Sequence, residues 1–352
     1  MSDNKDFIKT ELSELGEFGL IQKLTKDIKL INSQSIKGVG DDSAVLEYTG
    51  EQLVVTTDLL IEGVHFNLAY TPLKHLGYKA VSVNISDVLA MNALPKQILV
   101  SIAVSNRFGL EAIEELYKGI HLACKDYGVD LVGGDTSSSV KGLFISITAI
   151  GSVSKDKIAY RSGANVKDIL CVTGDLGAAY MGLQLLEREN KIYKSDPLIQ
   201  PDLSGFDYPL QRQLKPIARL DIVNYLKEND IVPTSMIDVS DGLSSESIHL
   251  CINSDKGCRI YENKIPIASQ TVDLAMEFGM EPLICALNGG EDYELLFSIK
   301  PADFHKIKKH HEITAIGYFT EKQEGMNLEV ENGTAIPLNS QGWNAFLNKK
   351  SL

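Results

Sequence analysis

The sequence predicts an α/β protein built in two halves, residues 1–151 and 152–352. Three observations predict this. Apolar runs of strand length alternate with longer stretches whose apolar residues recur at helical spacing. The 352 residues suffice for one large α/β unit or two domains of ordinary size. Each half mixes both kinds of element, and a break falls near residue 152.

The elements follow in order. Leu15, Phe18, Ile21, Leu24 and Ile28 predict an amphipathic helix over residues 14–28. LVVTT at 53–57, QILVSIAV at 97–104 and FISITAIG at 144–151 read as strands, with helices over about 73–92 and 110–127 between them. The run DILCVTG ends at Gly174 and passes into GAAYMGLQLLERE, which reads as strand, tight turn and helix. Lys191 to Pro216 is polar and rich in Pro, Tyr and Asp, so a long surface connection is expected there. A helix over Pro216–Glu228, the run SMIDVSDGLSSESIHLC, and strands around 294–299 and 313–318 complete the pattern.

Composition excludes several functions. Apolar residues make up 44% and charged residues 23%, enough for a packed core and unlike a disordered chain. The formal net charge of −13 argues against nucleic-acid binding, which needs a basic face. A chain this acidic that handles nucleotides must recruit cations locally. Cys124, Cys171, Cys251, Cys258 and Cys285 show no C-x-x-C spacing and read as reduced core residues. The N-terminus has no apolar signal stretch, and no run reaches the roughly 18 apolar residues of a membrane helix. A soluble, cytoplasmic protein without membrane partners is expected.

The placement of aspartates is the informative feature. GVGDDSAVL (38–46), VVTTDLLIEGVHF (54–66), VNISDVLAM (83–91), LVGGDTSSS (131–139) and MIDVSDGLSSE (236–246) each set carboxylate beside Gly, Ser or Thr at the end of an apolar run. An ionised carboxylate in such a place is costly unless compensated. Arg and Lys are absent from all five segments. Hard divalent cations suit carboxylate and hydroxyl oxygens, and Thr56 and Thr57 add the latter. Any single aspartate after a strand fits a helix cap or turn, and Asp42 and Asp135 each fit that role alone. Asp87 resists it, because it lies in an apolar helical run and shares a face with Asn84 three residues earlier. Asp238 and Ser240 point to one side if their strand runs to Val239, with Asp241-Gly242 turning after it. No Walker-type loop and no protein-kinase signature is present.

Other residues keep two readings. Arg161, in AYRSGAN, suits a surface loop or a phosphate clamp. His65 follows the TTD segment closely, as a structural histidine or a site residue. Gly174 and Gly177 open a helix whose N–H groups suit a phosphate, or form a plain turn. Glu291, Asp292 and Glu294 in NGGEDYELLF fit a solvated edge or a close backbone approach. Trp343, the only tryptophan, fits the core or a stacking surface.

The set GVGDDSAVL, TTDLLIEGVHF, YKAVSVNISDVLAMNALP, GGDTS, RSGA, DVSDGLSSE and GGEDYELLF, in this order, resembles thiamine-monophosphate kinases from about residue 15 to about residue 346. The resemblance implies the two-domain architecture of the aminoimidazole ribonucleotide synthetase-like superfamily. There, an N-terminal ATP- and metal-binding domain dimerises through its sheet and a C-terminal α/β domain packs against it. It implies transfer of phosphate from ATP to thiamine monophosphate, several Mg2+ ions and a homodimer. It places Asp42, Thr56, Thr57, Asp58, Asp87, Asp135, Asp238 and Asp241 at metal positions. Gly134, Asp135, Arg161 and Ser240 match nucleotide positions, as does Tyr117. His65, Glu291 and Trp343 match substrate positions, the last being an aromatic of another type in most members. Asp58, Asp87, Asp241 and Arg161 are expected to carry catalysis.

Overall fold

The computed structural model describes residues 35–37, 40–48 and 50–339. The first half gives β1 (Ser35–Lys37), β2 (Ala44–Tyr48), β3 (Glu51–Ile61), α1 (Leu73–Ala90), β4 (Leu94–Val104), α2 (Leu110–Tyr127), β5 (Asp130–Ser138) and β6 (Leu143–Val153). The second gives β7 (Ile169–Thr173), α3 (Ala178–Ser195), α4 (Asp207–Leu214), α5 (Leu220–Glu228), β8 (Ser235–Asp238), α6 (Leu243–Ser254) and β9 (Gly257–Tyr261). It continues with α7 (Ser269–Glu277), α8 (Pro282–Asn288), β10 (Leu295–Ile299), α9 (Phe304–Ile307), β11 (Ile313–Thr320), β12 (Met326–Glu329) and β13 (Ala335–Pro337).

The described strands form two sheets, ordered β1-β2-β3-β6-β4-β5 and β13-β12-β9-β11-β7-β10-β8. In the first, only β4 and β5 run parallel, joined by the crossover helix α2. Burial along β6 alternates strictly, so Leu143, Ile145, Ile147 and Ala149 line one face. Helices α1 and α2 cover that face, and among the described residues no helix covers the other. Helix α2 buries a single stripe that includes Leu116, Ile120, Ala123 and Tyr127. Helix α1 is buried on nearly every side, because it lies among the first sheet, α2, β8 and α4. The two helices cross at glycines. A Cβ on Gly77 would stand 2.0 Å from the Leu116 carbonyl, and one on Gly119 would stand 1.9 Å from the Lys74 carbonyl.

The break near residue 152 falls where β6 ends and the chain leaves for the second sheet. It does not divide the core. Val54, Ile98 and Ile147 of the first half pack in one cluster with Cys171, Met236 and Phe297 of the second. The five cysteines are free and buried, as the sequence predicts.

Several expectations need correction. The stretch 191–216 is not a plain connection: α3 continues to Ser195, and α4 forms within it. Phe206 and Leu210 pack against Met181 and Leu185, which provides the apolar face that composition concealed. Pro209 is tolerated because it sits in the first turn. The helix expected from Pro216 starts at Leu220, since the preceding backbone is held by α1: the Ser82 hydroxyl donates to the Pro216 carbonyl at 2.8 Å. The strand before Ser240 ends at Asp238, one residue short of the expected Val239. The helix over 14–28 and Trp343 lie outside the described residues.

Candidate active site

Strand β3 alternates its side chains between the two faces of the sheet. Thr56 and Asp58 face α1, and Thr57 faces the helix-free side. On α1, Asn84 and Asp87 share one face, as the spacing predicts. Asn84 Oδ1 accepts the Asp58 backbone N–H at 2.9 Å, and the Thr56 hydroxyl donates to Asp87 Oδ2 at 2.7 Å. From the second sheet, β8 ends on Asp238, which accepts the Ser86 hydroxyl at 2.6 Å. Asp42, in the turn before β2, completes the group. Carboxylate oxygens of Asp42, Asp87 and Asp238 all lie within 4.8 Å of one another. Residues 196 positions apart in sequence thus meet in one place, Asp42 with Asp238.

Electrostatics there are unfavourable for three bare charges. Burial, then the nearby Asp58, Asp238 and Asp42, push Asp87 well above the usual carboxylate range. Burial and Asp42 push Asp238 upward, with the Ser86 hydroxyl and Arg161 opposing. Among the described residues a bidentate cation contact is made by Arg161 on Asp42, with Nε at 2.8 Å and Nη2 at 3.1 Å. Burial pulls the Arg161 pKa down, but Asp42, Asp238 and Asp41 together outweigh it and the guanidinium stays charged. Arg161 is therefore tied to a proposed metal ligand rather than free on the surface, with its side chain 20% exposed.

A cleft of about 170 Å³ joins Asp58, Asp87 and Asp238 to His65, Ser240 and Glu291. His65 Nδ1 accepts the Ile61 N–H at 3.0 Å, which leaves any ring proton of the neutral form on Nε2. Burial holds its pKa down, against the pull of Glu291. Ser240 and Asp241 are supported by Glu246, which accepts the Asp241 N–H at 2.8 Å. Burial first, then Asp241, raises the Glu246 pKa.

The segment NGGEDYE settles the reading left open above. Asp292 and Glu294 are each 1% exposed, so it is no solvated edge. Glu291 and Tyr293 both take left-handed backbone, at φ of 58° and 52°. Their N–H groups donate to the carbonyls of Ser240 and Val239 at 2.7 and 2.9 Å, so two loops clasp one another over the cleft. Asp292 accepts from Gly177 N at 2.8 Å, which fills the start of α3 with the chain's own carboxylate. Glu294 accepts from Arg212 at 2.8 Å and Arg219 at 3.0 Å.

Two expected metal residues lie elsewhere. Thr57 donates to the Ile147 carbonyl at 3.0 Å, on the helix-free face. Asp135 sits on the exposed edge strand β5, opposite Ser101, which is opposite Ser146, which is opposite Leu59. That register puts it about three strand spacings, roughly 14 Å, from the β3 residues. Asp135 instead joins Gly134 and Tyr117 in an open trough of about 460 Å³ where α2 meets β5. Gly134 allows close approach there: a Cβ would stand 1.8 Å from the Val100 carbonyl. The residues expected to hold nucleotide are thus divided, with Arg161 and Ser240 by the carboxylates, and Gly134 and Asp135 of β5 with Tyr117 of α2 lining the trough.

Sequence reasoning passed over Lys79, Gln213, Tyr293 and the arginines at 212 and 219. The signal for Lys79 was a lysine set in an apolar helix, two turns before Asp87.

The fold and site define a class. Residues 40–153 match the family described as AIR synthase related protein, N-terminal domain. Thiamine-monophosphate kinase of Aquifex aeolicus (strain VF5) is 34% identical over 335 residues, covering 95% of this chain and 99% of that protein. That of Bacillus subtilis (strain 168) is 34% identical over 341 residues, covering 94% and 100%. The solved structure described as AaThiL complexed with AMPPCP and TMP superposes with a TM-score of 0.82 at 33% identity, covering 96% of this chain and 99% of that one. This chain belongs to the thiamine-monophosphate kinase family.

Proposed function

We propose that this protein transfers the terminal phosphoryl group of ATP to the phosphate of thiamine monophosphate, giving ADP and thiamine diphosphate. The observation that carries this reading is the meeting of Asp42, Asp87 and Asp238 within 4.8 Å, with Asp87 and Asp238 lining the cleft that also holds His65 and Glu291. The family relationship and the ATP analogue and TMP named for the AaThiL structure support the choice of substrates.

Divalent metal fits these residues. All the donors are oxygens, Asp42 and Asp238 are buried and Asp87 half-buried, and among the described residues Arg161 is the cation that pairs with this group. Asp42, Asp87 and Asp238 would hold Mg2+, with Asp58 and Thr56 beside them. Bound there, Mg2+ supplies positive charge where two phosphate anions must meet. The chain's own residues do the rest. The Thr56 and Ser86 hydroxyls fix the carboxylates by hydrogen bonds, and Asn84 fixes the strand that carries Asp58. A bond forms from an oxygen of the acceptor phosphate to the transferred phosphorus, the bond to ADP breaks, and ADP leaves. The acceptor is an ionised phosphate, so no strong base is required, which suits a neutral His65. Catalytic roles for Asp58, Asp87, Asp241 and Arg161 belong to this proposal.

The proposal extends to a cytoplasmic homodimer. Edge strand β5 is exposed along most of its length, with Val132 58% exposed, and Leu59 on the helix-free face is 51% exposed. An unpaired edge beside an uncovered sheet face is a surface that a second copy would cover. Thr57 and Asp135 lie on that face. No helix among the described residues is long and apolar enough to cross a membrane.

The test is to mix the protein with Mg-ATP and thiamine monophosphate and to separate the products by chromatography. Thiamine diphosphate and ADP in equal amounts are expected. ADP release without thiamine diphosphate would overturn the choice of acceptor.

A further inference from the structure

Lys79 lies in α1 among apolar neighbours and is 4% exposed. An ammonium group in such a place is costly unless its donors are satisfied. Its Nζ stands 2.8 Å from Glu291 Oε1 and donates to the Gln213 carbonyl at 3.2 Å. Gln213, in α4, is itself 6% exposed and donates its Nε2 to Glu291 Oε2 at 2.9 Å. Each oxygen of Glu291 is therefore held from a different helix. The Glu291 backbone is held from a third direction, by its N–H on the Ser240 carbonyl at 2.7 Å. It keeps φ at 58°, a conformation that a non-glycine residue adopts at some cost.

This much constraint on one side chain needs a reason beyond stability. A salt bridge whose only role is to hold the fold needs no strained backbone, and the Glu291 side chain is still 31% exposed, facing the cleft that contains Asp58, Asp87 and His65. A carboxylate has about four lone-pair sites. Lys79 and Gln213 occupy two and leave the others in fixed directions.

We infer that Lys79 and Gln213 are a positioning pair, which locks the Glu291 carboxylate in one orientation to receive an N–H donor or cationic ring of the phosphate acceptor. This rests on the reading of Glu291 as an acceptor contact. The pair acts through Glu291 and sets how tightly the acceptor binds, and phosphoryl transfer depends on the aspartates. Lysine suits the role as a compact charge able to serve two acceptors from within a packed helix.

The test uses the full chain and four variants, K79M, Q213M, E291Q and K79M/E291Q. KM for thiamine monophosphate, KM for ATP and kcat are measured for each, with acceptor affinity by titration calorimetry and folding by circular dichroism. K79M is expected to raise acceptor KM roughly tenfold and leave the ATP KM within about twofold. The double variant is expected to bind acceptor no worse than E291Q, because Lys79 acts only through Glu291. If K79M does not fold, Q213M carries the test, with an acceptor KM raised several-fold. Loss of kcat with unchanged acceptor KM in the folded variants would overturn the inference, as would additive losses in the double variant. E291Q with impaired acceptor binding beside unimpaired K79M and Q213M overturns the inference alone. E291Q with unchanged acceptor binding removes the Glu291 reading and the inference with it.

Discussion

Replacing Asp87 by Asn should make the metal-free protein more stable and remove most of the stabilisation it gains from Mg2+. Oxygens of Asp42, Asp87 and Asp238 lie within 4.8 Å of one another. Two unit charges at that distance repel by about 3–4 kcal/mol at an effective dielectric constant of 20. The folded protein limits this cost by keeping protons, as the upward shifts of Asp87 and Asp238 indicate, so the gain from Asp87→Asn should be about 1–3 kcal/mol. The amide oxygen still accepts the Thr56 hydroxyl, so no buried donor is orphaned. Wild type moves the other way with metal, gaining about 2.7 kcal/mol when Mg2+ reaches a hundred times its dissociation constant. Scanning calorimetry of both proteins, in EDTA and in excess Mg2+, reads the two effects. Asp87→Asn should melt a few degrees higher in EDTA, shift little with Mg2+, and have no turnover. A variant that melts lower than wild type in EDTA, yet keeps the full Mg2+ shift, would refute the metal-centre reasoning.

Three further outcomes follow from the same structure. Asp87 and Asp238 have folded-state pKa values above the ordinary 3.8, so above that pH the folded state binds more protons than the unfolded state. Metal-free stability should therefore be greatest on the acid side and fall as pH rises through the raised values, with a flatter slope in Asp87→Asn, measured by urea titrations across pH. Arg212→Met leaves Glu294, 1% exposed, with Arg219 as its remaining cation, and should cost about 2–4 kcal/mol in denaturant unfolding. Gly119→Ala places a methyl group 1.9 Å from the Lys74 carbonyl and should cost about 2–3 kcal/mol, read by thermal melts, with lowered activity because α1 carries Lys79, Asn84 and Asp87.

Much of the molecule was legible in its sequence, for local reasons. FISITAIG and the stretch 110–127 read as a strand and a helix from their local pattern, and β6 and α2 form there. The pairing of Asn84 and Asp87 on one helix face needed only the helical repeat. Glycine-flanked aspartates at the ends of apolar runs marked the parts of the site, because an uncompensated charge there has few explanations.

What required the tertiary structure was everything decided by a partner far along the chain. No segment told that Arg161 would take Asp42, or that Lys79 and Gln213 would hold Glu291 from two helices. The start of α3 looked open to phosphate until Asp292 filled it from 115 residues away. Thr56 and Thr57 are adjacent in sequence yet face opposite sides of the sheet, and Asp135 is removed from Asp58 by the order of the strands. Sequence determines which residues are costly to bury and which faces local geometry gives them. Strand order and helix crossing determine which of those costs cancel one another, since charge compensation depends on distance through space.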